Sequence, residues 1–159
     1  MEVISQSVLE TLNIGRRLAK NLQAGDIICL IGELGSGKTV LTKGIAEGLG
    51  INKKQVISPS FVLIREHRQG RLPLYHFDLY RLEKLRDILA LGYEEYLYAD
   101  GVAVIEWADR LGPLLPGACL KAELFVKSDS KRRLRFSAQG RRAKELLGNI
   151  FNYHENTGH

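Results

Sequence analysis

The sequence predicts one three-layer α/β domain whose central strands are parallel and whose additional strands form antiparallel hairpins. Two apolar runs, Ile27–Ile31 and Val102–Ile105, contain no polar position, as expected of strands covered by helices on both faces. Segments of helical periodicity flank the first run, and alternating segments occur elsewhere. The 159 residues, 45% of them apolar, suffice for one domain with a real core. We assign this domain to residues 1–152 and expect a polar, disordered tail over residues 153–159.

The first two helices are predicted on either side of the first apolar strand. Ser7 and Glu10 have the spacing of a capping box, and apolar residues recur on one helical face after them. Gly25 should end this helix. A second helix should begin near Lys38 and reach its C-terminal cap at Gly50.

The remaining elements are hairpins, short helices and the second apolar strand. Phe61–Glu66 and Leu72–Phe77 predict a hairpin, and Glu83–Ala90 predicts a short helix. The second apolar run should lie parallel to the first. Leu120–Val126 and Leu134–Ala138 should then pair antiparallel, and a last amphipathic helix should close the domain.

A phosphate-binding loop is predicted between the first strand and the second helix. Gly32–Thr39 fits the pattern G-x-x-x-x-G-K-[ST] at every fixed position, in the strand–loop–helix context that the pattern requires. The glycines let backbone N–H groups face the phosphates, Lys38 supplies a cation, and the Thr39 hydroxyl can bind magnesium. The domain is therefore P-loop NTPase-like and should bind ATP with Mg²⁺. The predicted nucleotide-binding residues are Gly32, Glu33, Leu34, Gly35, Ser36, Gly37, Lys38, Thr39 and Val40.

Two acidic residues are candidates for the carboxylate that such a site needs near magnesium. Glu106 ends the continuous apolar strand, although the usual residue there is aspartate. Asp78 ends the less apolar segment Leu74–Asp78. The fully apolar strand favours Glu106, and Asp78 remains the alternative.

Four motifs occur in the order and spacing of a known family. They are Gly32–Thr39, Ser58–Phe61, His76–Arg81 (His-Phe-Asp-Leu-Tyr-Arg) and Ile105–Trp107. In these motifs the chain resembles the TsaE (YjeE) family, bacterial phosphate-loop ATPases required for the threonylcarbamoyladenosine (t6A) modification of tRNA. The resemblance covers about residues 25–107 by motif. The C-terminal third is similar mainly in size and in its strand–strand–helix pattern.

The resemblance also implies roles for individual residues. Thr39 and Glu106 would bind magnesium, and Asp78 would belong to the catalytic site. Ser58–Phe61 would form a switch-like loop near the γ-phosphate, where Ser60 replaces the family's usual threonine and so keeps the hydroxyl but loses the methyl group. The predicted catalytic residues are Lys38, Asp78 and Glu106, and Ser60 joins the nucleotide-binding set.

The resemblance further implies partner proteins. These are the threonylcarbamoyl-transferase TsaD and its non-catalytic paralogue TsaB, with tRNA reached through their complex. ATP turnover would support or reset that complex between modification cycles. The sequence offers no obvious arginine finger, so we expect hydrolysis to be slow alone and stimulated by partners. No apolar run approaches membrane-spanning length, Met1–Ser5 lacks a signal-peptide pattern, and Cys29 and Cys119 are typical of buried reduced thiols, which predicts a cytoplasmic protein.

Two alternative functions remain open from the residues. A small phosphate-loop kinase would need an acceptor pocket and an arginine-bearing lid, and Arg65, Arg68 and Arg71 cluster on the predicted hairpin. A nucleotide-switched RNA-binding protein could use the basic segment Lys131–Lys144 and the net charge of +5, although a solvated strand and helix face is the favoured explanation of that segment. The scattered histidines His67, His76 and His154 favour surface or packing roles over metal binding.

Overall fold

The computed structural model describes residues 1–57, 63–98 and 100–152, and it describes residues 151 and 152 by their backbone alone. This part of the chain contains seven strands and five α-helices. The strands are β1 (Glu2–Ser5), β2 (Ile27–Gly32), β3 (Ile64–His67), β4 (Leu74–Asp78), β5 (Val102–Glu106), β6 (Cys119–Val126) and β7 (Arg132–Gln139). The helices are α1 (Val8–Ala19), α2 (Lys38–Gly48), α3 (Leu85–Ala90), α4 (Tyr93–Leu97) and α5 (Arg141–Asn152), with 3-10 segments at Lys53–Gln55 and Ala108–Leu114.

The strands form one mixed sheet in the order β1-β7-β6-β2-β5-β4-β3. Strands β6, β2, β5 and β4 run parallel to one another at its centre. Strands β3, β7 and β1 add antiparallel pairs at the two sides. The prediction of parallel central strands with antiparallel hairpin additions is confirmed.

The two faces of the sheet carry separate apolar clusters, which together give three layers. Strand β2 shows why its sequence is apolar throughout, because alternate side chains of a strand point to opposite faces. Ile28 and Leu30 pack in the cluster that includes α1, α2 and α5, whereas Ile27 and Cys29 pack in the cluster that includes α3, α4 and the Ala108–Leu114 segment. Both cysteines are buried free thiols, as predicted. Within the described ranges, no helix combines the length and apolarity needed to span a bilayer.

The helix boundaries follow the predicted caps with one correction. Ser7 is the N-cap of α1, and its Oγ accepts a hydrogen bond from the Glu10 N–H at 3.1 Å. The prediction that this helix extends to Gly25 was wrong, because α1 ends at Ala19 and Gly25 (φ 92°) lies in the turn before β2. Gly50 has φ 87°, just after α2, where a left-handed residue was predicted.

Two short elements were not predicted, strand β1 and helix α4. The predicted helix over residues 83–90 is observed from Leu85, and the predicted strand over residues 61–66 is described from Ile64 onward. The predictions for Ser58–Phe61, including Ser60, and for the tail over residues 153–159 lie outside the described residues.

Candidate nucleotide-binding site

The loop between β2 and α2 is shaped by glycines at positions where a side chain would be strained or would clash. Gly37 is the N-cap of α2 and has φ 105°, a conformation that favours glycine. A Cβ on Gly32 would lie 2.5 Å from Ser36 Oγ and 2.7 Å from the Leu124 carbonyl oxygen. The backbone therefore turns tightly from the end of β2 into the N-terminus of α2. The first N–H groups of a helix lack intrahelical partners and, with the helix dipole, favour an anion.

Lys38 is the cation inside this loop, and its side chain is 5% exposed. Its Nζ donates hydrogen bonds to the carbonyl oxygens of Gly32 at 2.6 Å and Glu33 at 2.8 Å. The ammonium also lies 4.1 Å from the ring centroid of Trp107. Burial lowers the pKa of Lys38, and the carboxylates of Glu106 and Asp78 oppose that shift. An arriving polyphosphate would offer this ammonium oxygen acceptors in place of the two carbonyls.

Glu106 and Thr39 form a pair beside the lysine. The Thr39 Oγ1 donates to Glu106 Oε1 at 2.8 Å, and the Glu106 side chain at the end of β5 is 2% exposed. A hydroxyl and a carboxylate oxygen are ligands that Mg²⁺ accepts, and Mg²⁺ usually completes its shell with phosphate oxygens and water. Among the described residues no group of three or more His, Cys, Asp or Glu side chains is arranged to hold a metal ion by itself. The residues present therefore fit a nucleotide-bound magnesium ion rather than a metal held by protein alone.

Asp78 ends the neighbouring strand and is the register partner of Glu106 across β4 and β5. Its Oδ1 accepts a hydrogen bond from the Tyr80 N–H at 3.0 Å, which turns the carboxylate toward the segment after β4. The two acids that the sequence left as alternatives thus have different surroundings. Glu106 is hydrogen-bonded to Thr39, the predicted magnesium ligand of the motif, and Asp78 lines the cavity beside it.

The cavity above the loop has a volume of about 370 Å³ and is lined both by predicted nucleotide-binding residues of the loop and by the two predicted acidic residues. Three side chains that the sequence analysis did not select also line it, Tyr80, Arg81 and Trp107. The rings of Tyr80 and Trp107 lie 4.8 Å apart, and Trp107 has φ 58°, the one non-glycine residue with positive φ in the described chain. No arginine was predicted near the γ-phosphate, yet Arg81 forms part of this wall. Its place in the His76–Arg81 motif, three residues after Asp78, was the available signal. Predicted residues lining the cavity are Leu34, Gly35, Gly37, Lys38, Thr39, Val40, Asp78 and Glu106.

A second concavity of about 240 Å³ lies on the other side of the same loop. One wall is the start of α1, with Val8, and the other is the turn between β6 and β7, with Arg132. The Arg132 guanidinium donates from Nη2 to the Gly35 carbonyl oxygen at 3.1 Å, which ties this turn to the phosphate loop. Sequence patterns gave no sign of this contact, because the two residues lie 97 positions apart.

The basic residues of the segment over residues 131–144 contact different parts of the fold. Arg132 contacts the phosphate loop, whereas Arg142 donates to the buried carboxylate that precedes β2 at 3.0 Å from both Nε and Nη2. Arg133 and Arg135 lie over the ring of Phe125, at 4.5 and 5.2 Å from its centroid. Four of the seven basic residues in the segment thus make contacts within the fold, at three different places.

His76 lies next to the site, although its sequence context favoured a packing role. Its side chain is 0% exposed, and its Nε2 is hydrogen-bonded to Glu106 Oε2. Two of the three arginines considered for a kinase lid are engaged elsewhere. Arg71 donates to the carbonyl oxygens of Ala19, at the end of α1, and Leu22, and Arg68 contacts Glu66.

Comparison with known proteins gives a consistent family. A family model described as "Threonylcarbamoyl adenosine biosynthesis protein TsaE" matches residues 5–134. The tRNA threonylcarbamoyladenosine biosynthesis protein TsaE of Bacillus subtilis (strain 168) is 41% identical, covering 92% of this chain and 90% of that protein. The protein of the same name from Treponema pallidum (strain Nichols) is 39% identical, covering 84% and 98%. The crystal structure of B. subtilis YdiB superimposes with a TM-score of 0.84 at 36% identity, covering 98% of this chain and 96% of that one. The chain therefore belongs to the TsaE family.

Proposed function

We propose that this protein is a magnesium-dependent ATPase subunit required for the N6-threonylcarbamoyladenosine modification of tRNA. In this proposal ATP turnover supports or resets the threonylcarbamoyl-transferase complex. The observation that carries the proposal is the hydrogen bond of 2.8 Å between Thr39 and Glu106 at the mouth of the loop that holds Lys38. The phosphate-binding loop, the Lys38 ammonium and two side chains suited to bind magnesium thus line one cavity.

Backbone N–H groups would provide the main contacts to the triphosphate. The N–H groups of the loop and of the α2 N-terminus face the phosphate oxygens, and Lys38 exchanges its carbonyl acceptors for oxygens of the β- and γ-phosphates. Thr39 and Glu106 would hold Mg²⁺, which when bound neutralises charge on the phosphates. The second concavity, between Val8 and Arg132, would receive the base and ribose, since it adjoins the same glycines.

Hydrolysis would then proceed in the cavity lined by Asp78 and Arg81. Asp78 accepts a hydrogen bond from the attacking water and orients its oxygen toward the γ-phosphorus. The new P–O bond forms as the bond to the β–γ bridging oxygen breaks, and the products are ADP and inorganic phosphate. The guanidinium of Arg81, which lines the same cavity, would stabilise charge on the transferred group.

The surface around the loop supports dependence on a partner. Leu34 at the loop tip is 73% exposed, and Val8 and Leu9 at the start of α1 are also exposed. A protein that covered these apolar side chains would exclude water from the nucleotide. By family resemblance the partners would be TsaD and TsaB, with tRNA reached through their complex.

The first test compares two lysines of helix α2. Lys38→Ala should lower ATP hydrolysis by about a hundredfold or more, because the loop loses its phosphate-binding cation. Lys43→Ala makes the same change on the same helix outside the cavity lining, and should hydrolyse ATP at the parent rate. Comparable hydrolysis by a folded Lys38→Ala protein would reject the site.

The second test concerns the partners. TsaD and TsaB are titrated against steady-state ATP hydrolysis, with and without tRNA that lacks the modified adenosine. We expect the complex to stimulate hydrolysis. In other phosphate-loop enzymes, a partner that supplies a charge-stabilising side chain raises turnover by about 10³-fold or more. Fast hydrolysis by the protein alone, unchanged by the complex, would contradict the subunit role and favour the kinase alternative. A screen for phosphoryl acceptors would then separate a kinase from an ATPase that transfers only to water.

A further inference from the structure

The buried histidine of β4 makes a contact that the proposed reaction has not used. Side chains alternate along a strand, so His76 and Asp78 lie on one face of β4. Glu106 of β5 is the register partner of Asp78 and shares that face. The imidazole of His76 reaches diagonally to Glu106, and its Nε2 is hydrogen-bonded to Oε2 of the carboxylate. The histidine and the glutamate are 0% and 2% exposed.

The two oxygens of Glu106 are thus divided between two donors. Oε2 is bonded to His76, and Oε1 accepts from the Thr39 hydroxyl at 2.8 Å. A carboxylate without a proton only accepts hydrogen bonds, so in this pair the imidazole would be the donor, through a proton on Nε2. This arrangement fixes the rotation of the carboxylate and directs one chosen oxygen toward the phosphate loop.

Apart from orienting the Glu106 carboxylate, packing gives no reason for a histidine at this position. Its neighbours on the same face include Leu74 of its own strand and Val104 of β5, both fully buried in the apolar cluster. Within the described ranges, Nδ1 of His76 is buried without a hydrogen-bond partner. A buried polar atom without a partner costs about 1–3 kcal/mol, which an apolar side chain would avoid. The hydrogen bond from Nε2 to Glu106 offsets this cost of burying the ring.

We propose that His76 is a positioning residue for the magnesium site: it holds Oε2 of Glu106 so that Oε1 alone is presented to Thr39 and the metal. The inference rests on the proposed function of the same site. Carboxylates that bind metals are commonly oriented by such hydrogen bonds, and loss of the orienting group typically costs 10–100-fold in metal affinity, as an order of magnitude.

The first experiment determines the tautomer in the unaltered protein. Nitrogen-15 chemical shifts of the labelled histidines, assigned by comparison with His76→Gln, report which ring nitrogen carries a proton. We expect a proton on Nε2 of His76. An unprotonated Nε2 cannot donate to Glu106 and would overturn the proposal. This measurement does not depend on the stability of any apolar variant.

The second experiment measures metal affinity directly. Mg²⁺ is titrated calorimetrically into protein saturated with a non-hydrolysable ATP analogue. His76→Leu should weaken Mg²⁺ binding by about 10–100-fold, whereas His76→Gln, whose amide can donate in place of Nε2, should stay within a few fold of the parent. The matched control is His67→Leu, because His67 is a buried histidine of β3 that has no hydrogen bond to Glu106. Unchanged Mg²⁺ affinity in His76→Leu, or equal losses in the Leu and Gln variants, would overturn the proposal.

A further variant separates this proposal from the function on which it rests. Glu106→Gln should weaken Mg²⁺ binding, while affinity for the analogue in the presence of EDTA stays close to that of the parent. If Glu106→Gln leaves Mg²⁺ affinity unchanged, the metal site itself is wrongly assigned. If Glu106→Gln weakens it and His76→Leu does not, only the positioning role of His76 fails.

Discussion

Helix α2 carries Lys38 and Thr39 at its N-terminus, and its position depends on a close crossing with α1. Gly44 lies at that crossing. A Cβ built there would be 2.3 Å from the Leu12 carbonyl oxygen and 3.1 Å from Gly15 Cα. Because these are main-chain atoms and ordinary contact begins at 3.4 Å, the two helices would have to separate by about 1 Å. We therefore expect Gly44→Ala to affect both stability and the site.

The size of the effect follows from two opposing contributions. Overpacking in a tight interior costs about 1–3 kcal/mol. Alanine gains about 1 kcal/mol over glycine in a helix. Since the contact with backbone is severe, we expect a net loss of about 2 kcal/mol in the free energy of unfolding. A displacement of about 1 Å at a catalytic group can lower the rate by on the order of a hundredfold, so ATP hydrolysis should fall as well.

Urea unfolding followed by circular dichroism measures the stability change. The control is Gly148→Ala in α5, where a Cβ would meet nothing within 4 Å. That substitution should raise stability by up to about 1 kcal/mol through helix propensity alone. The reasoning is refuted if Gly44→Ala is as stable as the parent, or if both substitutions shift the unfolding midpoint in the same direction.

Two further predictions concern individual carboxylates. Glu106→Gln should weaken magnesium-dependent nucleotide binding, whereas Asp78→Asn should mainly lower turnover, by on the order of a hundredfold; equal and negligible effects in binding and hydrolysis assays would show that neither acid serves the site. The hydroxyl of Tyr75, which donates to Asp100, lowers the pKa of that carboxyl, with a smaller contribution from Arg68. The stabilisation from Asp100 is therefore complete above the ordinary aspartate pKa of about 3.9 and is lost as pH falls through the lowered folded value. Asp100→Asn should lower the urea midpoint near neutral pH and not in strong acid, and an equal difference at both would contradict this assignment.

The parts of the fold that could be predicted are those whose pattern is local. Strand β2 and the first four residues of β5 are apolar because helices cover both of their faces, and the phosphate loop is one contiguous motif. Strand β1 was missed because it has only four residues, and its pairing with β7 is between distant segments of the chain.

The same limit explains what was missed in the site. Alternation along a strand reports which residues share a face, but not which strands become neighbours in the sheet. The contact of His76 with Glu106 spans 30 positions and needs β4 beside β5. The contact of Arg132 with Gly35 depends on the turn between β6 and β7. Glu106 could be selected from sequence because the end of an apolar strand is a local signal, whereas its hydrogen-bond partners depend on the sheet order.

The conformation of Trp107 has a consequence for following the site in solution. A non-glycine residue at φ 58° costs about 1–3 kcal/mol and persists only where its surroundings hold it, and here the ring contacts both Tyr80 and the ammonium of Lys38. The chain contains a single tryptophan. Its tryptophan fluorescence therefore comes entirely from the wall of the cavity above the loop, where the Trp107 ring centroid lies 4.1 Å from the Lys38 ammonium. If a nucleotide binds in this cavity as proposed, the tryptophan emission should change on binding, with no attached dye.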